Sequence, residues 1–351
     1  MHRSGRAVAR FLVLLLGLVS CLHVVTARPD PPALRQHRRP DGAAWSSFEH
    51  LQDAPRGSSV QGLAELKSYL ARFGYMQPSP EHDDDAFDEH MESAVKRFQS
   101  KLSLPVTGQL DSATLARIMS PRCGVGDMSV SVSASKSAAA KFAFLNGEPR
   151  WTLPDKLALT YAISPTATVA YLPREAVRAA FRSAFARWAR VIPVDFVEID
   201  YYGVADIKVG FYDGEHGDGS PFDGPLGVLA HAGGPIHGGL HLDAAEAWTV
   251  DLDAEKPFSE VFDLESVATH EIGHVLGLNH SSSYEAVMYP YISPRERKLR
   301  LSDDDIEAVQ LLYGSNPSFR HSISMAPGRT SCLAGLISLV CVVFAVLVTQ
   351  F

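Results

Sequence analysis

The sequence predicts an α+β protein in which a small all-helical unit precedes a larger unit of strands and helices. Two observations carry this prediction. Apolar residues recur at helical spacing between residues 63 and 118. Between residues 148 and 314, strand-like alternation is interspersed with amphipathic helical patterns. Both ends of the chain differ from this middle part, because each contains an uninterrupted apolar run.

Length and composition allow two cores and exclude one class of partner. With 351 residues, 46% of them hydrophobic, the chain can bury one good-sized core and a smaller second one. Its formal net charge of -8 offers no broad basic surface. We therefore expect no nucleic-acid partner.

The first 27 residues have the layout of a secretory signal peptide. A basic start is followed by the apolar run Phe11–Val19 and by small residues that end at Ala27, where we expect cleavage. A membrane-spanning anchor is the alternative, but the run is well short of the ~20 residues that a bilayer requires. Residues 28–60 are rich in Pro, Arg and Gly and are predicted to form a flexible leader.

Residues 332–351 form a hydrophobic tail whose apolar run, Cys332–Val348, has no Lys or Arg after it. A polar spacer that contains many small residues, 315–331, precedes this tail. The arrangement is typical of a glycolipid (GPI) anchor signal, which would attach the protein to the plasma membrane. A single membrane-spanning tail is the alternative, and the missing basic flank disfavours it.

The helical unit is predicted to span residues 61–127 and to contain three helices. The first begins at Leu63 and stops at Gly74, and the second carries Met91 on its apolar face. Asp111 is in position to cap the third. Residues 128–147 follow as a Ser/Ala-rich linker that is open to proteolytic cleavage.

The second unit, residues 148–314, mixes strand and helix patterns. Its predicted elements are the strands Lys156–Ile163, Val194–Ile199 and Ala205–Phe211, and the helices that begin at Pro173, Leu264 and Ser302.

The strongest chemical motif is H-E-I-G-H-V-L-G-L-N-H at residues 270–280. On a helix, residues four apart share a face, so His270 and His274 can present imidazole nitrogens to one metal ion. Gly277 can adopt the positive φ that ends the helix and lets the chain return with His280 as third ligand. Three neutral nitrogens suit Zn²⁺ and leave a fourth position open, where Glu271 can act as general base on a water molecule.

The cysteine count isolates one thiol. Of four cysteines, Cys21 leaves with the signal peptide, and Cys332 and Cys341 lie in the hydrophobic tail. Cys123 therefore has no partner for a disulfide in the exported part. Such a thiol is either buried and inert or kept for chemistry.

On the 270–280 motif the chain resembles the matrixins (matrix metalloproteinases) of the metzincin clan. The resemblance extends to Val287–Pro290, in which Met288 would form the methionine turn beneath the zinc, and to Pro121–Asp127. Because no hemopexin-like repeat follows Gly314, the chain is most similar to the plant-type members. The family's fold is a peptidoglycan-binding-like helical prodomain followed by a catalytic domain with a twisted mixed sheet and three helices.

The resemblance assigns a function to the isolated thiol. It implies a "cysteine switch", in which the Cys123 thiolate binds the catalytic zinc of an inactive zymogen and Arg122 pairs with Asp127. Gly126 stands where matrixins often have Pro. An activating protease would then remove the prodomain.

Further metal sites follow from the same resemblance. Three imidazoles and one carboxylate would hold a second, structural zinc: His216, Asp218, His231 and His241. A calcium ion would be bound by the carboxylates of Asp223, Asp243 and Glu246 and by the backbone carbonyls of Gly224, Leu226 and Val228. Asp206 resembles a ligand of a second calcium, although Gly239 stands where its partner is expected.

The resemblance implies a secreted or cell-surface zinc endopeptidase that cleaves extracellular proteins. Substrate would lie along an edge strand near Gly227–Ala230, and Pro290 would help to form the pocket for the residue after the cleaved bond. Two other classes remain open. One is a cell-surface binding module whose metals are purely structural, and the other is a different zinc hydrolase such as an exopeptidase.

Overall fold

The computed structural model describes residues 45–78, 84–128, 141–152 and 158–320. The expected signal peptide, the start of the leader, most of the linker and spacer, and the hydrophobic tail lie outside these residues. Within the described ranges, no helix is long and apolar enough to cross a membrane.

A helical unit occupies residues 45–128. Its helices are α1 (Leu63–Arg72), α2 (Glu89–Lys101) and α3 (Ser112–Ile118). Asp111 caps α3 by accepting a hydrogen bond from the backbone N–H of Thr114 at 2.8 Å. The apolar faces of the three helices meet in one core, so the predicted three-helix arrangement is confirmed.

Part of the expected flexible leader packs against the helical unit. Trp45–Leu51 forms a 3₁₀ helix, and Phe48 and Leu51 are buried in the core of the helical unit. Val60 is tied to the same unit, because its N–H donates to the carbonyl of Asp85 at 2.9 Å. The helical unit therefore includes the 3₁₀ helix that begins at Trp45, which is 16 residues before residue 61. Phe48 and Leu51 are too far from α1 in the sequence to extend the helical periodicity of its apolar residues.

The sheet unit occupies residues 141–320 and contains most of the strands. A six-stranded mixed sheet has the order β1-β6-β7-β5-β3-β4. Its strands are β1 (Arg122–Cys123), β3 (Ala158–Ile163), β4 (Asp195–Glu198), β5 (Ile207–Tyr212), β6 (Val228–Ala232) and β7 (Gly239–Asp243). Only the β6–β7 pair of this sheet is antiparallel.

Three helices accompany this sheet: α4 (Arg174–Ala189), α5 (Leu264–Val275) and α6 (Asp303–Tyr313). Helices α4 and α5 pack against each other, and Trp188 Nε1 donates to the carbonyl of Thr269 at 2.9 Å. Ser302 and Asp305 form the capping box of α6. The α+β class, with a helical unit before a mixed sheet and three helices, is confirmed.

Four short strands complete the sheet unit. They are β2 (Ala143–Phe144), which pairs antiparallel with β10 (Leu278–Asn279), and β8 (Trp248–Thr249), which pairs parallel with β9 (Phe262–Asp263). Residues 141–147, expected in the linker, therefore belong to the sheet unit.

The two units share a buried interface. Phe222, Val228, Tyr289 and Tyr291 of the sheet unit belong to the same apolar cluster as the helical core. Strand β1 belongs to the helical unit but pairs parallel with β6 at the edge of the main sheet. The segment that follows the three helices is thus built into the sheet.

Candidate active site

Helix α5 positions the first two histidines. Asp263 caps this helix, and its carboxylate accepts from the N–H of Ser266 at 3.0 Å. The helix ends at Val275, and Gly277 follows shortly after it with a φ of 101°. A Cβ at Gly277 would lie 2.2 Å from the carbonyl oxygen of Pro149. Only glycine fits this turn without strain, and the turn returns the chain to the site with His280.

Three imidazole nitrogens meet at one point. The Nε2 atoms of His270, His274 and His280 lie 3.1, 3.2 and 3.3 Å from one another. The Sγ atom of Cys123 is 3.4 Å from Nε2 of His274. The four ligand atoms lie within 4.8 Å of one another, and all four residues are buried.

The hydrogen bonds on the opposite ring nitrogens determine the tautomers. His270 Nδ1 donates to the carbonyl of Val287 at 2.7 Å, and His274 Nδ1 donates to that of Leu278 at 2.9 Å. His280 Nδ1 lies 2.7 Å from a carboxylate oxygen of Asp127. Because carbonyls and carboxylates only accept, each Nδ1 carries the proton and each Nε2 is a bare lone pair.

Three lone pairs that face one another at these distances repel unless a cation lies between them. Burial lowers the pKa of His270 to about 3 and that of His274 well below its usual value, so both rings are neutral. Three neutral nitrogens and one thiol sulfur form a four-ligand set that suits Zn²⁺. The residues therefore fit a zinc ion.

Glu271 lies beside this cluster and is fully buried. Neither of its carboxylate oxygens has a hydrogen-bond partner within the described structure. Burial raises the pKa of this carboxyl to about 8. Glu271, Cys123 and His270 line one cavity, together with Leu229 and Pro290. A carboxylate with unused acceptors at a cavity wall is well placed to exchange a proton there.

Met288 packs beneath the histidine helix. It is 1% exposed, and a Cβ at Gly273 would lie 2.2 Å from its sulfur. Asp305 holds this turn, because its carboxylate accepts from the N–H groups of Val287 at 2.8 Å and Met288 at 3.0 Å. The sequence suggests Asp305 as a capping residue of α6 and, with Asp304, as a candidate acceptor for a new N-terminal ammonium, but it gives no sign of this contact with the methionine turn.

The segment that carries Cys123 is fixed by a buried ion pair. Arg122 donates to Asp127 at 2.6 Å, and both side chains are fully buried. The Arg122 guanidinium also lies 3.4 Å from the ring centre of Phe73 and donates to the hydroxyls of Tyr69 and Tyr291. These aromatic contacts were not predicted, since they join residues far apart in the chain.

The same segment lies between two parts of the sheet unit. The N–H of Arg122 donates to the carbonyl of Gly227 at 3.0 Å, and that of Gly124 donates to the carbonyl of Ala230 at 2.8 Å. The N–H of Cys123 donates to the carbonyl of Pro290 at 2.9 Å. The segment thus uses the backbone groups that an extended peptide would need.

Comparisons with known proteins agree with this geometry. Residues 150–314 match the family model described as Matrixin, and residues 59–118 match a peptidoglycan-binding domain. The chain is 49% identical to Metalloendoproteinase 1-MMP of Arabidopsis thaliana over 279 residues, which cover 79% of this chain and 76% of that protein. The chain belongs to the matrixins. It is accordingly a zinc metalloprotease.

Two further relatives are similar to this chain over most of its length. Metalloendoproteinase 1 of Glycine max is 40% identical over 87% of this chain and 97% of its own length. Stromelysin-1 of Mus musculus is 38% identical over 81% of this chain and 55% of its own length. The expected resemblance to plant matrixins is confirmed.

A second group of ligand atoms lies elsewhere in the matrixin. One carboxylate oxygen of Asp218 is 3.0 Å from Nε2 of His216, 2.7 Å from Nε2 of His231 and 2.9 Å from Nδ1 of His241. Burial lowers the pKa of His231 to about 4, which keeps this imidazole neutral. Three imidazoles around one carboxylate fit a closed tetrahedral zinc site.

The expected calcium ligands of the matrixin do not form a comparable group. Within the described residues, only the two clusters above bring three or more metal-binding side chains within 4.8 Å of one another. Asp243 and Glu246 are nevertheless buried close to Asp223. Burial, with the Asp223 charge, raises the pKa of Asp243 to about 7. The pKa of Glu246 is raised well above its usual value, first by burial and then by Asp243.

Backbone N–H groups of the same loop also contact these acids. The N–H groups of Gly224, Leu226 and Val228 donate to the carboxylates, at distances of 3.2, 2.7 and 2.8 Å respectively. Leu226 has a φ of 67°, which a side chain disfavours.

Asp206 joins two strands. Its carboxylate accepts from the N–H of Thr160 at 2.8 Å and from the hydroxyl of Thr160 at 2.6 Å. Gly239, which stands where the second ligand of this calcium is expected, has no carboxylate to contribute. These bonds give Asp206 a role between β3 and β5, and nothing in the described residues groups it with other metal ligands.

Proposed function

We propose that this matrixin is an extracellular endopeptidase made as an inactive zymogen. His270, His274 and His280 hold its catalytic zinc, and Cys123 occupies the fourth ligand position. The observation that carries the proposal is the convergence of three lone-pair Nε2 atoms within 3.3 Å of one another. The Cys123 sulfur lies 3.4 Å from one of them, beside Glu271.

Glu271 is the general base of the proposed reaction. When bound, zinc would lower the pKa of water toward ~7 and polarise the substrate carbonyl. Glu271 would take the proton of the attacking water and deliver it to the leaving amine. Its two unpartnered oxygens leave it free for both transfers. The positive charge of the metal would counter the burial that raises its pKa.

The substrate would replace the Cys123 segment at the sheet edge. The carbonyls of Gly227 and Ala230 now accept from that segment, and an extended substrate can use the same groups. The cavity between Glu271 and Pro290 would hold the residue after the cleaved bond. An edge strand that binds a peptide along its length favours cleavage inside a polypeptide and not at its end.

Activation requires cleavage between the two units. Linker residues 129–140 lie outside the described structure and separate the helical unit from Lys141. The backbone nitrogen of Lys141 donates to Asp304 at 2.9 Å, whereas both oxygens of Asp305 hold the methionine turn. We therefore assign Asp304, and not Asp305, as the acceptor for a new N-terminal ammonium near Lys141.

Further metals and cell-surface attachment complete the proposal. His216, Asp218, His231 and His241 would bind a second, structural zinc. Asp223, Asp243 and Glu246 would bind calcium after the loop adjusts, because the two buried acids Asp243 and Glu246 lie beside a third carboxylate and a cation would compensate their charge. A signal peptide ending at residue 27 would export the protein, and a GPI anchor would hold it at the plasma membrane. Asp206 as a ligand of a second calcium has the weakest support, since Thr160 already uses its carboxylate.

The test is cleavage of a quenched fluorogenic peptide by the purified precursor, before and after treatment with a thiol-reactive mercurial. We expect activity only after treatment, and none in the Glu271→Ala variant. A Cys123→Ser precursor should be active without treatment. If the treated wild type binds zinc but cleaves nothing, the chain is a binding module with structural metals.

A further inference from the structure

The three zinc-binding histidines differ in where their second hydrogen bond comes from. His270 and His274 donate from Nδ1 to the carbonyls of Val287 and Leu278, which belong to the sheet unit. His280 donates instead to Asp127, which belongs to the helical unit. Two ligands are therefore oriented by the catalytic domain itself, and the third by the part that activation removes.

Asp127 is rigidly held for this purpose. Its Oδ1 atom accepts from Arg122 at 2.6 Å and from His280 at 2.7 Å, and its Oδ2 atom accepts from the Tyr75 hydroxyl at 2.5 Å. Its backbone N–H donates to the carbonyl of Phe73 at 3.1 Å. Asp127 is 1% exposed, so water does not compete for the carboxylate.

Charge favours the same arrangement. The Arg122 guanidinium lies 2.6 Å from the Asp127 carboxylate, and both side chains are fully buried, so the acceptor of the His280 bond is one partner of an ion pair. A charged acceptor on the far side of an imidazole fixes the ring orientation and makes the metal-facing nitrogen more basic.

We propose that Asp127 is a positioning residue for the catalytic zinc of the zymogen. The prodomain then contributes twice: Cys123 supplies a ligand, and Asp127 orients the ligand His280. Removing the prodomain leaves the His280 ring without this acceptor. The inference rests on the proposed function, because it assumes that zinc occupies the histidine cluster.

The expected change in zinc release follows from the general effect of removing a hydrogen-bond acceptor behind a metal ligand. Loss of a hydrogen-bonded partner behind a metal ligand costs about 10- to 100-fold in metal affinity. The Asp127→Asn zymogen should therefore release its catalytic zinc at least about 10-fold faster than its parent. Both proteins would carry Glu271→Ala to prevent self-cleavage, and release into an excess of chelating dye would be followed.

Three controls separate the loss of His280 orientation from undocking of the whole Cys123 segment. Tyr75→Phe removes the hydrogen bond to the Oδ2 atom of Asp127, leaves the one to His280 in place, and should change zinc release much less. The second zinc, near Asp218, provides an internal reference whose release should not change. The reactivity of the Cys123 thiol reports whether the segment is still docked. Faster zinc loss with a protected thiol supports the proposal, and unchanged zinc loss with a protected thiol overturns it.

A measurement without a variant at Asp127 covers the case in which Asp127→Asn undocks the segment. In zinc-loaded precursor carrying ¹⁵N-histidine, the Nδ1–H signals of His270, His274 and His280 should all be protected from solvent exchange. After the prodomain is removed, the His280 signal should exchange rapidly, while the other two persist. A His280 signal that stays protected in the mature enzyme would refute the inference.

The two proposals fail in different ways. If the precursor holds no zinc at the histidine cluster, the proposed function fails. If zinc is bound and thiol modification releases peptidase activity, but the His280 ring proton does not respond to prodomain removal, only the role of Asp127 fails.

Discussion

Replacing Arg122 with methionine should raise the peptidase activity of the untreated precursor by roughly 100-fold. The guanidinium is fully buried and makes its ion pair with Asp127 at 2.6 Å. It also donates to the hydroxyls of Tyr69 and Tyr291 and packs over the Phe73 ring. Arg122→Met keeps an unbranched apolar stem but removes every one of these polar contacts.

The expected magnitude follows from this burial. Removing one partner of a buried ion pair costs about 3–5 kcal/mol, because the other charge remains desolvated. Tyr75 and His280 still donate to Asp127, so the lower end of this range applies. At about 1.4 kcal/mol per tenfold, 3 kcal/mol raises the fraction of open zymogen by roughly 100-fold.

The assay is the rate of peptide cleavage by the untreated precursor, relative to the rate after thiol modification. Arg56→Met is the matched control in the same unit. Arg56 is 57% exposed and pairs with Glu89 and Glu92 on the surface. Such surface pairs contribute about 0–1 kcal/mol, so this control should leave latency unchanged. If Arg122→Met is folded and as latent as the control, the ion pair does not hold the switch closed.

Three other substitutions test separate parts of the structure. Gly277→Ala should lower the melting temperature, with a cost of at least about 2 kcal/mol, because its Cβ would lie 2.2 Å from the Pro149 carbonyl oxygen. Asp218→Asn should reduce the zinc content measured by metal analysis from two ions per chain to one. Lys298 lines the cavity beside Glu271, and burial lowers its pKa. Lys298→Met replaces an amino group of this cavity wall with an apolar side chain. It should therefore raise kcat/KM several-fold for peptides with leucine after the cleaved bond.

Local patterns predicted the histidine helix well. The spacing of His270 and His274 depends only on helix geometry, and Gly277 predicts the return of the chain to His280. The three helices of the first unit were also predictable, since each carries its apolar stripe within a short stretch of sequence. All of these features depend on residues that are close together in the sequence.

Contacts between distant segments could not be predicted in this way. His280 and Asp127 are 153 positions apart, and nothing in either neighbourhood indicates their hydrogen bond. Asp305 supports the methionine turn by accepting hydrogen bonds from backbone N–H groups. Because nearly every residue has such a group, the residue types of the turn do not indicate this contact. The amides of Gly224 and Leu226 face the acids because of a loop conformation that residue types alone do not determine.

The parallel pairing of β1 with β6 has a consequence for the protein before and after activation. Strand β6 has β7 on one side and β1 on the other, so its outer row of hydrogen-bonding groups is covered in the precursor. An uncovered edge strand is a template for pairing with other chains, and hence for aggregation. The Cys123 segment thus acts as a removable edge cover. In the proposed zymogen it would protect the domain from association with its own copies, and the proposed cleavage would uncover the edge where peptides would bind.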